Sequence, residues 1–429
     1  MSENIGSDVN SSQKGKYDFW KYWSGQTISN LGSSVTLFAL PLLVYKLTGS
    51  ALNLGLTTTV TFLPYPLFGL VLGALVDRFD RKRVMILADL GRALVILSIP
   101  VQAFFWPLSI WWIYAVSFLH STLTICFEAG EFAAIPTLVG KDDLVKANGR
   151  IQASYSAASI IGPLLAGLLV VFLPLPSLLF LDSFSFFLSA GFLALIVKSF
   201  NSAVAVDGPK KHLGQDVLEG LRYVLKHPVL RNISLMMAVM NFVDTIVISQ
   251  LVFFARTRLQ ATDFQIGLLY SAASVGIVVF SLLAGILRKR WNFSQVALGA
   301  LLVIGACTIT LAWMRLYWIG LVLWGIISGL GILFNINTSS LRQAIVPNHL
   351  LGRVMSIAGV LGWSSIPLGA LLGGILITWT GNIALVYALV GLVDILLPLI
   401  FAFTALGRAE RYLSVPQEEN AARLPDPSL

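Results

Sequence analysis

Residues Gly73–Arg83 read GALVDRFDRKR and stand between two long apolar runs of the chain. A short, strongly basic loop between two membrane-length segments is typical of the cytoplasmic side of a membrane. Gly73 has no side chain, so the helix that ends here is expected to pack closely on a neighbouring helix. The charged side chains of this stretch are Asp77, Arg78, Asp80, Arg81, Lys82 and Arg83.

The composition places the chain among membrane proteins. It has 429 residues, of which 56% are hydrophobic and only 12% are charged, and its mean hydropathy is +0.82. A soluble domain carries about 25% charged residues. The formal charge of +8 does not indicate a nucleic-acid partner, because the cations cluster in alternate short loops. Cys126 and Cys307 lie inside apolar runs, so no disulfide framework is predicted.

Apolar runs long enough to cross a bilayer, which takes roughly 20 helical residues, recur along the whole chain. Pro, Gly or charged residues separate them, as at Trp106–Pro107 and Pro174–Pro176. The sequence therefore predicts an all-α polytopic membrane protein with twelve transmembrane helices. The predicted spans cover approximately residues 19–46, 51–76, 83–105, 109–135, 147–173, 175–198, 229–255, 264–287, 294–315, 317–341, 351–378 and 382–406.

The positions of the cations predict the orientation of these spans. Of the 29 lysines and arginines, Arg92 lies within the third span, and only Lys46, Arg256, Arg258 and Arg315 fall in the odd-numbered loops. The remainder occupy the even-numbered loops and the two tails. Because cytoplasmic loops carry the excess of Lys and Arg, both termini are expected in the cytoplasm. The expected location is the plasma (inner) membrane.

A long polar segment divides the spans into two groups of six. Its second part, LGQDVLEGLRYVLKHPVL, places apolar residues on one helical face and predicts an amphipathic helix in the membrane interface, with a soluble connecting helix as the alternative. The predicted organisation is a cytoplasmic tail (1–18), a six-helix bundle (19–198), a cytoplasmic linker (199–228), a second six-helix bundle (229–406) and a second cytoplasmic tail (407–429).

The basic loop also carries a resemblance to a known family. It is similar to the signature G-x-L-x-D-R-x-G-R-K-x of the major facilitator superfamily, with Gly73, Leu75, Asp77, Arg78, Arg81 and Lys82 at matching positions. Asp80 stands where the signature has its second glycine. Asp is one of the few other residues that tolerate a left-handed turn, so Asp80 is expected to adopt one.

Other stretches extend the resemblance over nearly the whole chain. LPLLVYKLTGSALNLGL at 40–56, IPTLVGKDDLVKANG at 135–149 and EGLRYVLKHPVLR at 219–231 are similar to macrolide-efflux and enterobactin-exporter proteins. The resemblance implies two pseudo-symmetric six-helix bundles around a central substrate site, working by alternating access. It also implies a monomer whose partners are a small-molecule substrate and membrane lipids.

The signature loop is interpreted as part of a gate. The start of span eleven, around Gly352 and Arg353, echoes the start of span five and is the expected partner of the loop. The hypothesis is that Asp77 accepts hydrogen bonds at the N-terminus of span eleven, where the helix dipole favours a carboxylate. The loop would then latch the two halves together while the outside is open.

Span four carries the richest set of intramembrane polar groups. At 100° per residue, His120, Thr124, Glu128 and Glu131 form one polar stripe on the helix. Ionisable groups in a bilayer are expensive, so they are candidates for proton coupling or for lining a cavity, with Glu128 the foremost. The alternatives are that Glu131 pairs with loop cations and that His120 makes a structural hydrogen bond.

Other spans contain isolated ionisable groups. Asp244 lies near the middle of span seven with Asn241 nearby, and is a candidate to bind a cation or proton, or to pair with Arg92. Asp182 and Asp394 are interpreted as structural. Arg92 and Asp89 are expected to form an intrahelical pair.

Span five contains Gly162, Pro163 and Gly167 in a pattern similar to the G-P-x-x-G-G motif of antiporters in the superfamily. Small residues allow close helix packing and Pro bends the span, so these residues are expected to seal the cavity against leak. A plain packing kink is the alternative.

The predicted function is secondary active export of an amphipathic small molecule, in exchange for protons. Import of a small metabolite by a facilitator or symporter is the first alternative, and a non-transporting scaffold or sensor the second. No Walker-type loop, H-E-x-x-H or G-x-S-x-G motif occurs, and the four histidines are scattered, so an enzyme is not expected. No metal site and no cofactor are predicted.

Overall fold

The computed structural model describes residues 17–76, 78–139, 143–200 and 221–409, and almost all of this part of the chain is helical. The helices are α1 (Asp18–Thr48), α2 (Ala51–Phe62), α3 (Pro64–Val76), α4 (Arg81–Phe105), α5 (Ile110–Val139), α6 (Leu144–Leu169), α7 (Leu179–Ala194), α8 (Pro228–Ser249), α9 (Leu251–Thr257), α10 (Asp263–Arg290), α11 (Phe293–Trp313), α12 (Tyr317–Ile345), α13 (Asn348–Trp363), α14 (Ser365–Thr380) and α15 (Ile383–Ala402).

These helices agree with the predicted spans. Among the described residues, 11 helices are long and apolar enough to cross a membrane. The predicted second span is the one missing from this set, because it is divided at Leu63 into α2 (12 residues) and α3 (13 residues), each too short to be counted. Pro64 begins α3, and a proline cannot donate the backbone hydrogen bond that would continue the preceding helix. Counted with this broken span, the helices are consistent with the twelve predicted.

The outside of the molecule is suited to lipid. Large apolar side chains are widely exposed there, among them Leu282 (75% exposed), Trp379 (83%) and Phe403 (92%). A soluble monomer rarely exposes extensive apolar surface. In a bilayer, by contrast, the helices satisfy their own backbone hydrogen bonds and can turn apolar side chains outward. The chain is therefore a multi-pass membrane protein.

Local sequence explains several helix ends. Gly49 and Gly381 end α1 and α14 with φ of 59° and 63°, in the left-handed region that glycine enters without steric cost. The expectation of a left-handed turn at Asp80 is wrong, because its φ and ψ are −66° and 109°. Asp80 instead caps α4, where its carboxylate accepts a hydrogen bond from the backbone N–H of Arg83 at 3.0 Å.

Internal contacts divide the described chain into two compact units. The first unit consists of residues 17–49, 60–200 and 262–271, and the second of residues 50–59, 221–261 and 272–409. These units differ from the predicted bundles at two short segments, 50–59 and 262–271. The predicted bundle boundaries, 19–198 and 229–406, stay a prediction about which parts move together.

Close approach of glycine backbones explains why these two segments change unit. Within the second unit, a side chain at Gly55 would collide with the backbone of Ala370 and Gly374. Within the first unit, a Cβ at Gly267 would lie 2.6 Å from the carbonyl oxygen of Pro163 and 3.0 Å from Cα of Gly167. Helices that meet at glycine can bring their backbones into contact, which maximises van der Waals packing inside a membrane.

The core of the first unit lies where α1, α4, α5 and α7 pack together. Tyr22, Met85, Phe127 and Leu193 are buried in one cluster there, and α1 contacts α6 and α7 along its length. In the second unit the core lies between α8, α11, α12 and α15. The first of these cores includes Phe127 of α5, which lies next to Glu128 of the polar stripe.

Most of the predicted linker lies outside the described residues. Its described residues are 199–200 and 221–228; of these, residues 221–226 are helical and His227 caps α8. The prediction of an amphipathic helix across this segment therefore stays a prediction.

Substitutions of glycine on α11 test the backbone contacts in the second unit. A Cβ at Gly305 would lie 2.6 Å from the carbonyl oxygen of Gly391 on α15, whereas a Cβ at Gly299 would meet nothing within 4 Å. Gly305→Ala is expected to destabilise the protein by about 1–3 kcal/mol through overpacking. Gly299→Ala, on the same helix, should be neutral or slightly stabilising. Thermal unfolding of the purified variants measures the difference, and equal melting temperatures would contradict the contact.

The pH dependence of stability tests the cap of α8. His227 is 4% exposed, and its Nδ1 accepts a hydrogen bond from the backbone N–H of Leu230 at 3.4 Å. Burial lowers the pKa of this imidazole below its usual value. The stability it contributes is thus complete above the unfolded-state pKa of about 6.5 and is lost as pH falls toward the folded-state pKa.

The melting temperature of the wild-type protein should therefore fall between about pH 7.5 and about pH 5.5. His227→Asn keeps a side chain that can cap the helix but does not titrate. This variant should show a smaller fall over the same range. An identical fall in both proteins would show that other groups dominate the pH dependence.

Candidate functional site

An ion pair buried in the first unit forms the centre of the candidate site. Arg92 and Asp89 lie one turn apart on α4, and their side chains are 7% and 0% exposed. The Arg92 guanidinium hydrogen-bonds the Asp89 carboxylate directly. Its Cζ atom also lies 4.2 Å from the ring centroid of Phe127 and 4.5 Å from that of Phe186. The predicted intrahelical pair is therefore present, and two aromatic faces enclose its cation.

Glu131 of α5 is held by a tyrosine. The hydroxyl of Tyr22, which is 1% exposed, donates a hydrogen bond to the Glu131 carboxylate. The alternative of pairing with loop cations does not fit the described geometry. The loop side chains Arg81 and Lys82 donate to backbone carbonyl groups instead. Glu131 is therefore tied to α1 and lies within electrostatic range of Arg92.

Glu128 occupies a more open position on the same helix. It is exposed, and the Tyr65 hydroxyl of α3 lies 3.4 Å from each of its carboxylate oxygens. Such hydrogen bonds are long and easily exchanged. Arg92 is again the cation within electrostatic range. Glu128 can therefore reach water or a ligand without disturbing the buried pair.

His120 lies further along the stripe, beside the same aromatic ring that covers Arg92. Its ring centroid is 5.7 Å from that of Phe186. The structural hydrogen bond interpreted for His120 is not made by Nε2, which is buried without a partner among the described residues. The hydroxyl groups of Ser117 and Ser121, on either side of it along α5, are also buried without partners. Buried polar atoms of this kind are ordinarily satisfied by bound water.

Asp244 and Asn241 belong to the second unit and lie on α8. The Asn241 side chain donates a hydrogen bond to the carbonyl oxygen of Gly362 on α13 at 3.1 Å. Asp244 is half-buried, at mid-length of the α8–α9 span. Arg92, the other partner considered for Asp244, is paired with Asp89. These two candidates therefore belong to a different part of the fold from the α5 stripe.

The cations of the signature loop bind the end of span six. Lys82 Nζ lies 2.6 Å from the carbonyl oxygen of Ile196, and Arg81 donates to the carbonyl oxygen of Phe200 at 3.4 Å. Positive charges are favourable where a helix leaves its last carbonyl groups unsatisfied. Arg78 is exposed. The latch hypothesis depends on Asp77, which lies outside the described residues, and stays a prediction.

The expectation that Gly73 allows close helix packing is wrong. A Cβ at Gly73 would meet nothing within 4 Å, and the neighbouring Val71 and Leu75 are 65% and 45% exposed. The reason is that this end of α3 stands at the surface of the unit. By contrast, Gly162 of α6 meets Ser34 of α1, and Gly167 lies against Phe264 and Gly267 of α10. Pro163, between them, contributes its carbonyl oxygen to the contact with Gly267.

Sequence reasoning missed the tyrosines of the site. Tyr22 and Tyr65 lie on different helices from the glutamates they contact, and no spacing in the sequence pairs them. It also treated Arg92 and Asp89 as an isolated pair, whereas two α5 glutamates lie within electrostatic range of Arg92. A signal was present, since Arg92 is the lysine or arginine that lies furthest from the ends of its predicted span.

A bundle of membrane-length helices whose interior holds ionisable groups in contact with one another is typical of a membrane transporter. Comparison with known proteins identifies the family. The profile of the Major Facilitator Superfamily matches residues 22–366 and 245–426. The chain therefore belongs to the major facilitator superfamily, and it is a transporter rather than an enzyme.

Similar proteins include several exporters. The chain is 26% identical over 368 residues to macrolide efflux protein A of Streptococcus pyogenes, with 84% of this chain and 90% of the relative covered. It is 27% identical to the multidrug efflux pump Tap of Mycolicibacterium fortuitum, covering 86% and 92%. It is 25% identical to the enterobactin exporter EntS of Citrobacter koseri, covering 79% and 80%.

Solved structures confirm the fold. The nucleoside transporter NupG superposes with a TM-score of 0.73 at 12% identity, covering 91% of this chain and 99% of that one. A bacterial homolog of the human lysosomal transporter Spinster gives 0.69 at 14% identity, covering 96% and 99%. The predicted resemblance to macrolide-efflux and enterobactin-exporter proteins and the predicted fold class are both confirmed.

Removal of the Tyr22 hydroxyl tests the contact between α1 and α5. Tyr22→Phe leaves the half-buried Glu131 without its donor, which should cost about 1–3 kcal/mol of stability. Tyr17→Phe removes the same atom from a side chain that is 62% exposed and should have no effect. Thermal unfolding measures both variants. A melting temperature of Tyr22→Phe that equals that of Tyr17→Phe would contradict the assigned role.

Proposed function

We propose that the protein exports an amphipathic small molecule in exchange for protons, and that Glu128 and Glu131 of α5 exchange the proton. The substrate class that we infer is drug-like, macrolide-like or siderophore-like. The side chains that would couple proton movement to substrate movement form one polar cluster, which we call the α5 cluster. Its members are Tyr22, Tyr65, Asp89, Arg92, Glu128 and Glu131.

The observation that carries the proposal is an imbalance of charge. Four carboxyl groups of the first unit, Asp89, Glu128, Glu131 and Asp182, lie within electrostatic range of one cation, Arg92. Asp89 already neutralises that cation. An additional uncompensated charge inside a membrane protein costs several kcal/mol. At least one of the two glutamates is therefore expected to carry a proton in this state, and to release it when its surroundings become hydrated.

The two glutamates suit different steps of such a cycle. Glu128 is exposed and weakly held, so it can exchange its proton with water. Glu131 is half-buried and held by Tyr22, so it can keep a proton away from water. A substrate with a cationic or polar group would compete for the same glutamate. Proton release and substrate binding would then be linked through one carboxylate.

Export as the direction of transport is supported by the relatives. Macrolide efflux protein A, the multidrug efflux pump Tap and the enterobactin exporter EntS are all named for outward transport. Each covers more than three quarters of this chain. Import is the second candidate, because protonation of a glutamate can be coupled to substrate transport in either direction.

The proposal includes the arrangement in the cell. Two six-helix bundles (19–198 and 229–406) would alternate access to a central site, with both termini in the cytoplasm. The protein would act as a monomer in the plasma membrane, without a nucleic-acid partner. The excess of lysine and arginine in alternate loops supports the orientation.

Replacement of Glu128 tests the proposal. Glu128→Gln keeps the shape of the side chain but cannot release a proton, so gradient-driven export should fall by at least about tenfold. Asp143→Asn is the matched control, because Asp143 is an exposed carboxylate paired with Lys146 outside the cluster. Sealed vesicles with an imposed pH gradient are given a macrolide or a catecholate siderophore, and dissipation of the gradient is followed.

The outcomes separate the candidates. An antiporter should dissipate the gradient in wild-type and Asp143→Asn vesicles and fail to do so in Glu128→Gln vesicles. Uptake that increases with inward proton flow would favour a symporter. A scaffold or sensor would give no flux with any probe, and growth of an exporter-deficient host on the same compounds would be unaffected by the chain.

A further inference from the structure

Asp394 is an acidic side chain for which the described structure offers no partner. It lies near the middle of α15, is 0% exposed, and both of its carboxyl oxygens are buried without a hydrogen bond. A carboxylate ion in such surroundings would lose its hydration and gain nothing in return. The carboxyl group is therefore expected to be in its neutral, protonated form.

Asp182 in the first unit shows the opposite arrangement at equal burial. It is also 0% exposed, but its carboxylate accepts hydrogen bonds from the hydroxyl groups of Ser33 at 3.2 Å and Thr36 at 2.5 Å, and the Ser185 hydroxyl donates to its backbone carbonyl oxygen at 2.7 Å. Two hydroxyl donors can stabilise an ionised carboxylate without water. Burial alone therefore does not distinguish Asp394. The absence of donors around its two oxygens does.

The carboxyl group of Asp244 on α8 interacts electrostatically with that of Asp394. The two carboxyl groups lie within electrostatic range of each other. The Tyr387 hydroxyl of α15 donates to the carbonyl oxygen of Val247 on α8 at 2.9 Å, so the two helices are in direct contact one turn beyond Asp244. Asp244 is half-buried, so the pair has one member that the protein does not fully enclose.

In the described part of the chain, the helices that pack against α15 place no cation beside Asp394. Among the described residues, α15 packs against α8, α11, α14 and the short helix Ala405–Arg408. Helices α11 and α14 contain no charged residue, and Cys307 is the titratable group of α11. Arg231 lies 13 residues before Asp244 on α8, about 20 Å along the helix, and Arg408 follows the cytoplasmic end of α15.

We propose that Asp244 and Asp394 form a second proton-binding site, in which Asp394 holds a proton and Asp244 passes it to and from water. This site is distinct from the α5 cluster of the first unit. Asp394 lies near the middle of α15, and Asp244 lies near the middle of the α8–α9 span. The ligand of this site is a proton rather than a metal ion, because the described residues contain no group of three or more His, Cys, Asp or Glu side chains that could hold a metal.

The transfer is a simple exchange between two carboxyl groups. The O–H bond of Asp394 breaks as a new O–H bond forms on the carboxylate of Asp244, and the negative charge moves to Asp394. Asp244 then releases the proton to water, in a conformation of the cycle that also hydrates Asp394, because both groups are ionised after this step. Two adjacent carboxyl groups of like charge share one proton more easily than they ionise together. The pair would therefore carry a single proton in this state.

The consequence for transport rests on the proposed proton coupling. We call Asp244 and Asp394 the acid pair. If the α5 cluster and the acid pair both exchange protons, one cycle would move two protons for each substrate molecule rather than one. The existence of the acid pair can nevertheless be tested without transport, so the two ideas fail separately.

The first experiment detects the proton directly. Infrared difference spectroscopy of the purified full-length protein in lipid, titrated with pH, resolves the carbonyl stretch of protonated carboxylic acids. The wild-type protein should show such a band at about pH 7, where free carboxyl groups are ionised. Asp394→Asn, which has the same shape, should lose the Asp394 component of this band and keep only the part contributed by a protonated glutamate of the α5 cluster, whereas Asp182→Asn should keep the full intensity. A band of unchanged intensity in Asp394→Asn would overturn the proposal.

A second variant tests whether the two groups act as a pair. Asp244→Asn should shift the titration midpoint of the Asp394 band relative to wild type, whereas independent groups would leave it unchanged. Because Asp244 is half-exposed, this variant is expected to fold even if Asp394→Asn does not. An unchanged midpoint would remove Asp244 from the site.

The transport arm measures protons moved per macrolide molecule in sealed vesicles. Asp394→Asn should lower this ratio from about two to about one, provided that wild-type vesicles show proton-coupled export. An unchanged ratio together with loss of the Asp394 component of the infrared band would mean that the site exists but is not coupled. Absence of flux in wild-type vesicles would refute the proposed function and leave the infrared result as the test of the site.

Discussion

The cost of charge inside a membrane is the constraint on which the interior of this protein depends. Arg92 is the cation at the centre of the first unit, and it is held by Asp89 and by the rings of Phe127 and Phe186. Removal of either charged partner would leave the other buried and uncompensated, which is strongly unfavourable. Once this pair is made, Glu128 and Glu131 have no free cation. Their proposed protonation is a consequence of that limit.

The two units meet the same constraint in different ways. In the first unit, hydroxyl donors surround the acidic groups, as Tyr22 does for Glu131 and Thr36 does for Asp182. In the second unit, Asp394 has neither a cation nor a donor within the described structure. The proposed consequence is a neutral carboxyl group. Both solutions avoid an isolated charge, but only protonation makes the group able to exchange a proton.

Sequence predicted the membrane-spanning helices well because each span needs a long apolar run and nothing else in the chain has that length. It was wrong at Gly73 and Asp80, where the structure shows an exposed helix end and an N-cap. In both cases a signature position was interpreted through the family pattern, whereas local exposure and backbone dihedrals decide the role of the residue. It also missed Tyr22 and Tyr65, because these side chains reach their glutamates across helix boundaries.

The sequence by itself determined the number of spans, the all-helical class and the family, because hydrophobic length and short signatures are properties of contiguous residues. Only the tertiary structure decided which ionisable groups share an environment. Arg92 is 39 residues from Glu131 along the chain, and Asp244 is 150 residues from Asp394, so no periodicity relates them. Their proximity depends on which helix faces pack together. That choice is made by close contacts such as Gly305 against Gly391, which the chain expresses only when it is folded.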